Sequence, residues 1–252
     1  MAGIPRPEVQ PWVAVQRAAE PPAVELPAAV EPPVVEQGAA ERPEVGPLVA
    51  ERPVAEQAVE RATTAYRNRD LKLCHAVLAS EYAINAVERE IDELALDLLA
   101  MQQPMAVDLR FITAVMKINA DLERVGDQAV NIAERVMSLA KLPPADLPID
   151  IPRMAATVSG MVRRALESFL EAKAELAEAV LKMDDVVDRM NDEAYVNLMN
   201  AMQANKEITQ QALDALLIAR NLERVADHAT NIAEDVIFWV RGADVRHHQP
   251  AE

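Results

Sequence analysis

The sequence predicts an all-α protein: two tandem antiparallel three-helix bundles related by internal duplication, preceded by a disordered Pro-rich arm. Three observations carry that expectation. A thirteen-residue stretch occurs twice, LERVGDQAVNIAE from Leu122 to Glu134 and LERVADHATNIAE from Leu222 to Glu234, with ten positions identical at an offset of 100. Eleven of the seventeen prolines fall in the first 53 residues. The rest of the chain is rich in Ala, Leu, Val, Met, Glu and Arg, with few aromatics and few glycines, a composition that suits helices.

Residues 1–52 read as the arm. PAVE, PAAVE, PPVVE and PVAE vary one theme, and proline at that density removes backbone donors and stops helices. A solvated, polyproline-like tail is expected there. The helical pattern begins near Val54, where Ala55, Val59, Ala62 and Tyr66 mark a first helix that stops near Asn68. Asp70 then caps a long helix from about Leu71 to Met101, with Leu73, Val77, Ile84, Val87, Ile91 and Leu98 among its apolar positions. Pro104 marks the start of a third, from about Met105 to Ala140. KLPPADLPIDIP, with four prolines, is a linker. The pattern repeats with helices from about Met154 to Glu171, Ala174 to Met202 and Glu207 to Arg241, the last ended by Gly242. The segments 58–91 and 161–194 align in pattern at an offset of 103, so each half holds three helices. The expected division is an arm over 1–52, a first bundle over 53–141, a linker over 142–152, a second bundle over 153–242 and a tail over 243–252. Short connections make neighbouring helices antiparallel.

Composition narrows the functional classes. A formal net charge of −16 repels nucleic acid and anionic headgroups and is compatible with metal cations or basic partner surfaces. Cys74 is the single cysteine, which rules out an intrachain disulfide and argues against a cysteine-based metal site. No apolar run has the ~18 residues of a membrane span, and the N-terminus lacks the features of a signal peptide. A cytoplasmic protein with no direct membrane insertion is the expectation.

The repeated stretch has two faces. At ~100° per residue, Glu123, Asp127, Asn131 and Glu134 fall within an arc of roughly 80°, as do Glu223, Asp227, Asn231 and Glu234. Val125, Ala129, Ile132 and Val136 point the other way, towards a core. The middle helix of each half carries its own polar line: Glu81, Asn85, Glu88 and Asp92 in the first, Asp184, Asp188 and Asn191 in the second. Folding the hairpins about turns near 103 and 204 brings Glu81 and Asn85 level with Glu123 and Asp127, and Asp184 and Asp188 level with Glu223 and Asp227. Carboxylates packed side by side repel, so such a cluster needs compensation. Arg124 and Arg224 can supply it, and so can a cation, for which carboxylate oxygens favour Mg, Ca, Mn or Fe over a closed structural Zn site. The plain alternative is four solvated faces on amphipathic helices. His75 lies off the acidic face, and His228, which adjoins Asp227, is matched by Gln128, so neither reads as a ligand. No Glu-x-x-His pair, nucleophile elbow, Gly-rich phosphate loop or CxxC motif occurs, which argues against ferritin-like redox catalysis and the common nucleophilic sites.

At these residues the chain resembles the PhoU family, the accessory regulators of phosphate-specific transport. The stretches that carry the resemblance are QQPMAVDLRFITAVMKINADLERVGDQAVNIAE (102–134), LLIARNLERVADHATNIAE (216–234) and SEYAINAVEREID (80–92). The resemblance implies six helices in two bundles. It implies multinuclear iron or zinc clusters on paired acidic motifs, here Glu123/Asp127 and Glu223/Asp227, facing Glu81/Asn85 and Asp184/Asp188. It also implies a cytoplasmic homodimer without catalytic activity, a negative regulator that contacts the transporter's ATPase subunit and the membrane sensor histidine kinase. Two departures stand out. The Pro-rich arm precedes the first helix, and Pro53 falls in that helix's early turns. Asn85, moreover, is a weaker ligand than the matching Asp188. Arg110, in the segment PMAVDLR, could contact phosphate or a partner, as could Arg124 and Arg224, but for Arg110 an ion pair with a neighbouring helix is the preferred reading. The competing functions are a metal-dependent phosphohydrolase built on the same carboxylates and a purely structural scaffold.

Overall fold

A computed structural model describes residues 46–246, with side chains from residue 54 onward; of the arm expected over 1–52, residues 1–45 lie outside them, as do residues 247–252 of the tail, while 46–52 belong to a helix. The described residues form six α-helices: α1 (Gly46–Asn68), α2 (Leu71–Gln102), α3 (Ala106–Leu139), α4 (Ile151–Glu171), α5 (Ala174–Ala204) and α6 (Thr209–Arg241), with one 3₁₀ turn (Lys206–Ile208) before α6. The two tandem three-helix bundles are present, α1–α3 and α4–α6.

Local chemistry sets the helix ends. The Asp70 carboxylate accepts from the backbone N–H groups of Lys72 and Leu73 at 2.8 and 3.3 Å, capping α2. Asp150 caps α4 in the same way through the Arg153 N–H at 3.0 Å. Gly242, at φ +69°, ends α6 in the left-handed conformation, and its N–H bonds the Phe238 carbonyl. α1 begins at Gly46, upstream of the start expected near Val54, and runs through Pro53. A proline there forfeits one intrahelical hydrogen bond, which the length of the helix absorbs.

Within each bundle the long hairpin, α2–α3 or α5–α6, packs against the shorter first helix. Between bundles α3 packs on α6 and α1 on α4. Lys117 meets Asp235, Asp121 meets His228, and Ser138 meets Asp214, so α3 and α6 run antiparallel. A single apolar cluster runs through all six helices, including Val59, Val77, Ile118, Leu122, Met161, Val187 and Leu222. Three of the few aromatics join the bundles: Phe111 of α3 stacks on Phe169 of α4 at 6.0 Å, and Trp239 of α6 lies 5.1 and 5.3 Å from them. The 142–150 connection is strapped down. Arg69 donates to the Leu142 carbonyl at 3.0 Å, and Leu147 and Ile149 pack on Leu198, Ala212 and Ala215.

Candidate functional site

Both copies of the repeated stretch lie wholly within helices, the first in α3 and the second in α6. Val125, Ala129, Ile132 and Val136 are buried, as the helical period requires. The opposite faces meet the stripes of α2 and α5. In the first bundle Glu81, Asn85 and Glu88 of α2 and Glu123 and Asp127 of α3 are all half-buried. Burial raises the Glu123 carboxyl above its ordinary range. Asp127, Glu88 and Glu81 push it the same way, and Arg124 opposes them. The two helices come close here. A Cβ at Gly126 would stand 2.7 Å from Ile84 Cδ1, so glycine is what admits this approach. Asp92, at the far end of the α2 stripe, is occupied structurally: the buried Asn119 amide donates to it at 3.1 Å and to the Glu88 carbonyl at 2.9 Å.

The second bundle assembles the denser cluster. Asp184 is pushed up to about 6 by burial and by the charges of Asp188, Asp227, Asp185 and Glu234. Glu223 is raised by burial, Asp227, Asp188 and Asp184, against Arg220. Asp227 is raised by burial and Asp188, against His228, Arg220 and Arg224. Asp184 and Glu223 are half-buried, while Asp188 and Asp227 stand at the exposed edge. Arg220 holds Glu223 Oε1 at 2.7 Å. Asp184 Oδ1 and Glu223 Oε2 are buried without a hydrogen-bond partner among the described residues. Buried oxygens of that kind are costly and call for a positive partner. An all-oxygen donor set suits a hard cation. Among the described residues, no three His, Cys, Asp or Glu side chains are already gathered as the ligands of one ion.

A sequence model of the PhoU domain matches residues 53–136 and 151–236. The chain belongs to the PhoU family. The phosphate-specific transport system accessory protein PhoU homologs of Pseudomonas putida and Pseudomonas aeruginosa are each 37% identical to it over 203 residues, 79% of this chain and 78% and 83% of theirs. That of Caulobacter vibrioides is 34% identical over 198 residues, 78% of this chain and 86% of its own. The crystal structure of PhoU from Pseudomonas aeruginosa matches with a TM-score of 0.75 at 36% identity, over 78% of this chain and 95% of that one. The phosphate transport system regulatory protein PhoU from Streptococcus pneumoniae shares the fold, with a TM-score of 0.70 at 24% identity over 79% and 94% of the two chains.

The two PhoU repeats meet along a polar seam between α3 and α6 that sequence reasoning missed. Asp121, buried on α3, receives the His228 ring Nδ1 at 2.9 Å and the Asn231 amide at 3.3 Å, with Arg124 Nη1 at 3.7 Å. His228 therefore turns into the seam. Lys117 pairs with the buried Asp235 at 2.8 Å. Asp214, fully buried, is held by Ser138 at 2.8 Å, Gln210 at 3.3 Å and Arg135 at 3.8 Å. The signal was present: on the ~100° wheel, Asp121, His228 and Asp214 fall on or beside the apolar faces of their helices.

The three arginines singled out from the sequence occupy separate places. Arg124 and Arg224 are exposed beside the acidic faces. Arg110 stands at the C-terminus of α6, its Nε donating to the Trp239 carbonyl at 3.4 Å, where a cation complements the helix dipole. Fourteen residues along α3 put Arg110 and Arg124 ~21 Å apart, too far to share one anion. Among the described residues no helix is long and apolar enough to cross a membrane.

Proposed function

We propose that the protein is a non-enzymatic regulator of phosphate uptake and phosphate-starvation signalling. In this reading it works in the cytoplasm as a negative regulator, by contact with the phosphate transporter's ATPase subunit and a membrane sensor histidine kinase. Membership of the PhoU family and the names of its relatives, accessory proteins of a phosphate-specific transport system, support the regulatory half. The metal half rests on one observation: two buried, unpartnered carboxylate oxygens, on Asp184 and Glu223, in the middle of a like-charged cluster. Asp184, Asp188, Glu223 and Asp227 would hold iron or another divalent cation, whose charge would remove the repulsion among them. Zinc fits this carboxylate set less well. The first-bundle face, Glu81, Asn85, Glu123 and Asp127, is the weaker of the two, because Asn85 supplies an amide in place of the Asp188 carboxylate.

The test is metal content by mass spectrometry on protein purified without chelator, for the wild type and for Asp184→Asn/Glu223→Gln. Bound metal in the first that is lost in the second is the expected result; equal metal in both, or none in either, sinks the assignment. Binding to the transporter's ATPase subunit at high and low phosphate tests the regulatory half separately. No binding under either condition rejects it.

A further inference from the structure

A cavity of about 440 Å³ lies where the ends of α1 and α3 meet the 142–150 connection. That volume is in the range of small-molecule sites. Val136, Leu139, Leu147 and Pro152 are among its apolar walls, and Tyr66, Arg67, Arg69 and Gln211 among its polar ones; no lining residue is acidic. In a chain with 41 acidic and 25 basic side chains, that lining runs against the general balance. Two other cavities, each of about 380 Å³, show the usual mixture: the one between α1 and α4 includes Glu60, and the one between α4 and α5 includes Asp150 and Glu193. The polar groups of the acid-free cavity are also short of partners. Among the described residues Arg67 has neither an ion pair nor a hydrogen bond, and the half-buried Tyr66 hydroxyl has no hydrogen bond. Arg69 donates through Nη1 to the Leu142 carbonyl at 3.0 Å, which holds the guanidinium at the connection and leaves its other donors uncommitted. Its charge is close enough to Tyr66 to draw the phenol down against the rise that burial causes. Gln211, only 5% exposed, donates to the Pro143 carbonyl at 3.3 Å, and its amide oxygen accepts from no described residue. One arginine in the last turn of a helix is ordinary, because it complements the carbonyl end. Two arginines on one acid-free cavity, with a phenol and a buried amide beside them, exceed that need.

We propose that this cavity binds a small organic phosphate monoester, with the phosphate on Arg67, Arg69 and Tyr66 and the organic body against Leu139 and Leu147. Charge selects the phosphate. A monoester carries about −1.5 to −2 at pH 7 and so matches two guanidinium groups, whereas a carboxylate would leave one of them uncompensated. Both guanidinium groups and the phenol O–H are donors, and phosphate oxygens are acceptors only. The apolar walls select an organic body over the bare ion, since they gain nothing from inorganic phosphate. The Gln211 amide oxygen is an acceptor for a hydroxyl or amine on that body. The site uses no residue of either acidic face, so it depends neither on metal nor on the regulatory reading.

Calorimetric titration of the full chain with phenyl phosphate at pH 8 tests the site. One binding site is expected, with inorganic phosphate, which lacks the body, and benzoate, which lacks the second charge, each weaker by roughly tenfold or more. Arg67→Gln should lose roughly tenfold in affinity with thermal stability unchanged, because that side chain holds nothing in the fold. Tyr66→Phe keeps the ring and should show a smaller loss. Arg153→Gln removes an exposed arginine outside the cavity and should bind as the wild type does. Lowering the pH to 5 should weaken wild-type binding, because the ester takes up a proton near pH 6. A wild type that takes up no phenyl phosphate at millimolar concentration overturns the site, and so does binding that Arg67→Gln leaves unchanged. Inorganic phosphate bound as tightly as the ester assigns the arginines to the bare ion and overturns the organic ligand. Benzoate bound as tightly overturns the phosphate.

Discussion

At Asp184, burial and four neighbouring acids act in the same direction, and together they push the carboxyl up to about 6. A carboxyl raised in the folded state favours folding while protonated. Its contribution is complete below the ordinary value of 3.8 and is lost as pH rises through about 6. Metal-free protein should therefore melt at a higher temperature at pH 5 than at pH 7, and Asp184→Asn should flatten that slope. At pH 7 the variant should gain about 1 kcal/mol after solvent screening, or ~2–4 °C. With metal added, the order should reverse, because the variant lacks the ligand. A thermal melt series across pH, with and without Fe or Mn, reads both effects; an unchanged slope in the variant rejects the assignment. The neighbouring contact of Ile84 with Gly126 has its own test. The equivalent pair in the second bundle is Val187 and Ala226, both buried, with one methyl moved from one helix to the other. Gly126→Ala should lose about 1 kcal/mol net, because overpacking of ~1–3 outweighs ~1 of helix propensity. Ile84→Val alone should lose a similar ~0.5–1.5 kcal/mol. The double variant, which reproduces the second-bundle pair, should return to wild-type stability in urea unfolding. Additive losses would show that the two residues do not compete for space.

Among the helices, α3 and α6 carry both functions of the fold, since each presents one face to an acidic partner helix and another to its duplicate. The seam between them is where one pair can be taken apart. Asp235 is buried, raised by desolvation and drawn back by Lys117. Lys117→Met should cost about 3 kcal/mol by stranding that carboxylate, whereas Lys117→Met/Asp235→Leu should recover most of the loss. Chemical denaturation of the three proteins checks this, and equal stability of the single and double variants would contradict it. This seam also marks the limit of what was legible in the sequence. The helices, the duplication and the facing of Glu81 with Glu123 and of Asp184 with Glu223 follow from local period and hairpin length, which are short-range properties. The antiparallel docking of α3 on α6 is not a short-range property. It depends on charged residues such as Asp121 and Asp214 finding partners over a hundred or seventy residues away, which helical period alone does not specify. The start of α1 was obscured for another reason: Pro53 is a strong local stop signal, overridden here by the helix around it.

Two bundles in sequence need not be two units in folding. Each half buries one side of its third helix only against the other half, and the apolar cluster passes from Ile118 and Leu122 of α3 to Ile218 and Leu222 of α6 without a break. Cutting it would expose both faces at once, at roughly 25 cal/mol per Å² of apolar surface. The aromatic trio of Phe111, Phe169 and Trp239 sits across that boundary and offers a reporter. The chain has two tryptophans, so Trp12→Phe leaves Trp239 as the only one. In that background, Trp239 fluorescence and far-UV circular dichroism should give coincident urea transitions, as a two-state unit requires. Phe169→Ala, made in α4, should cost about 3–5 kcal/mol and shift both signals together, including the helix signal contributed by α1–α3. A biphasic dichroism curve, with only one phase moved by Phe169→Ala, would mean that the bundles unfold separately and that the shared core couples them weakly.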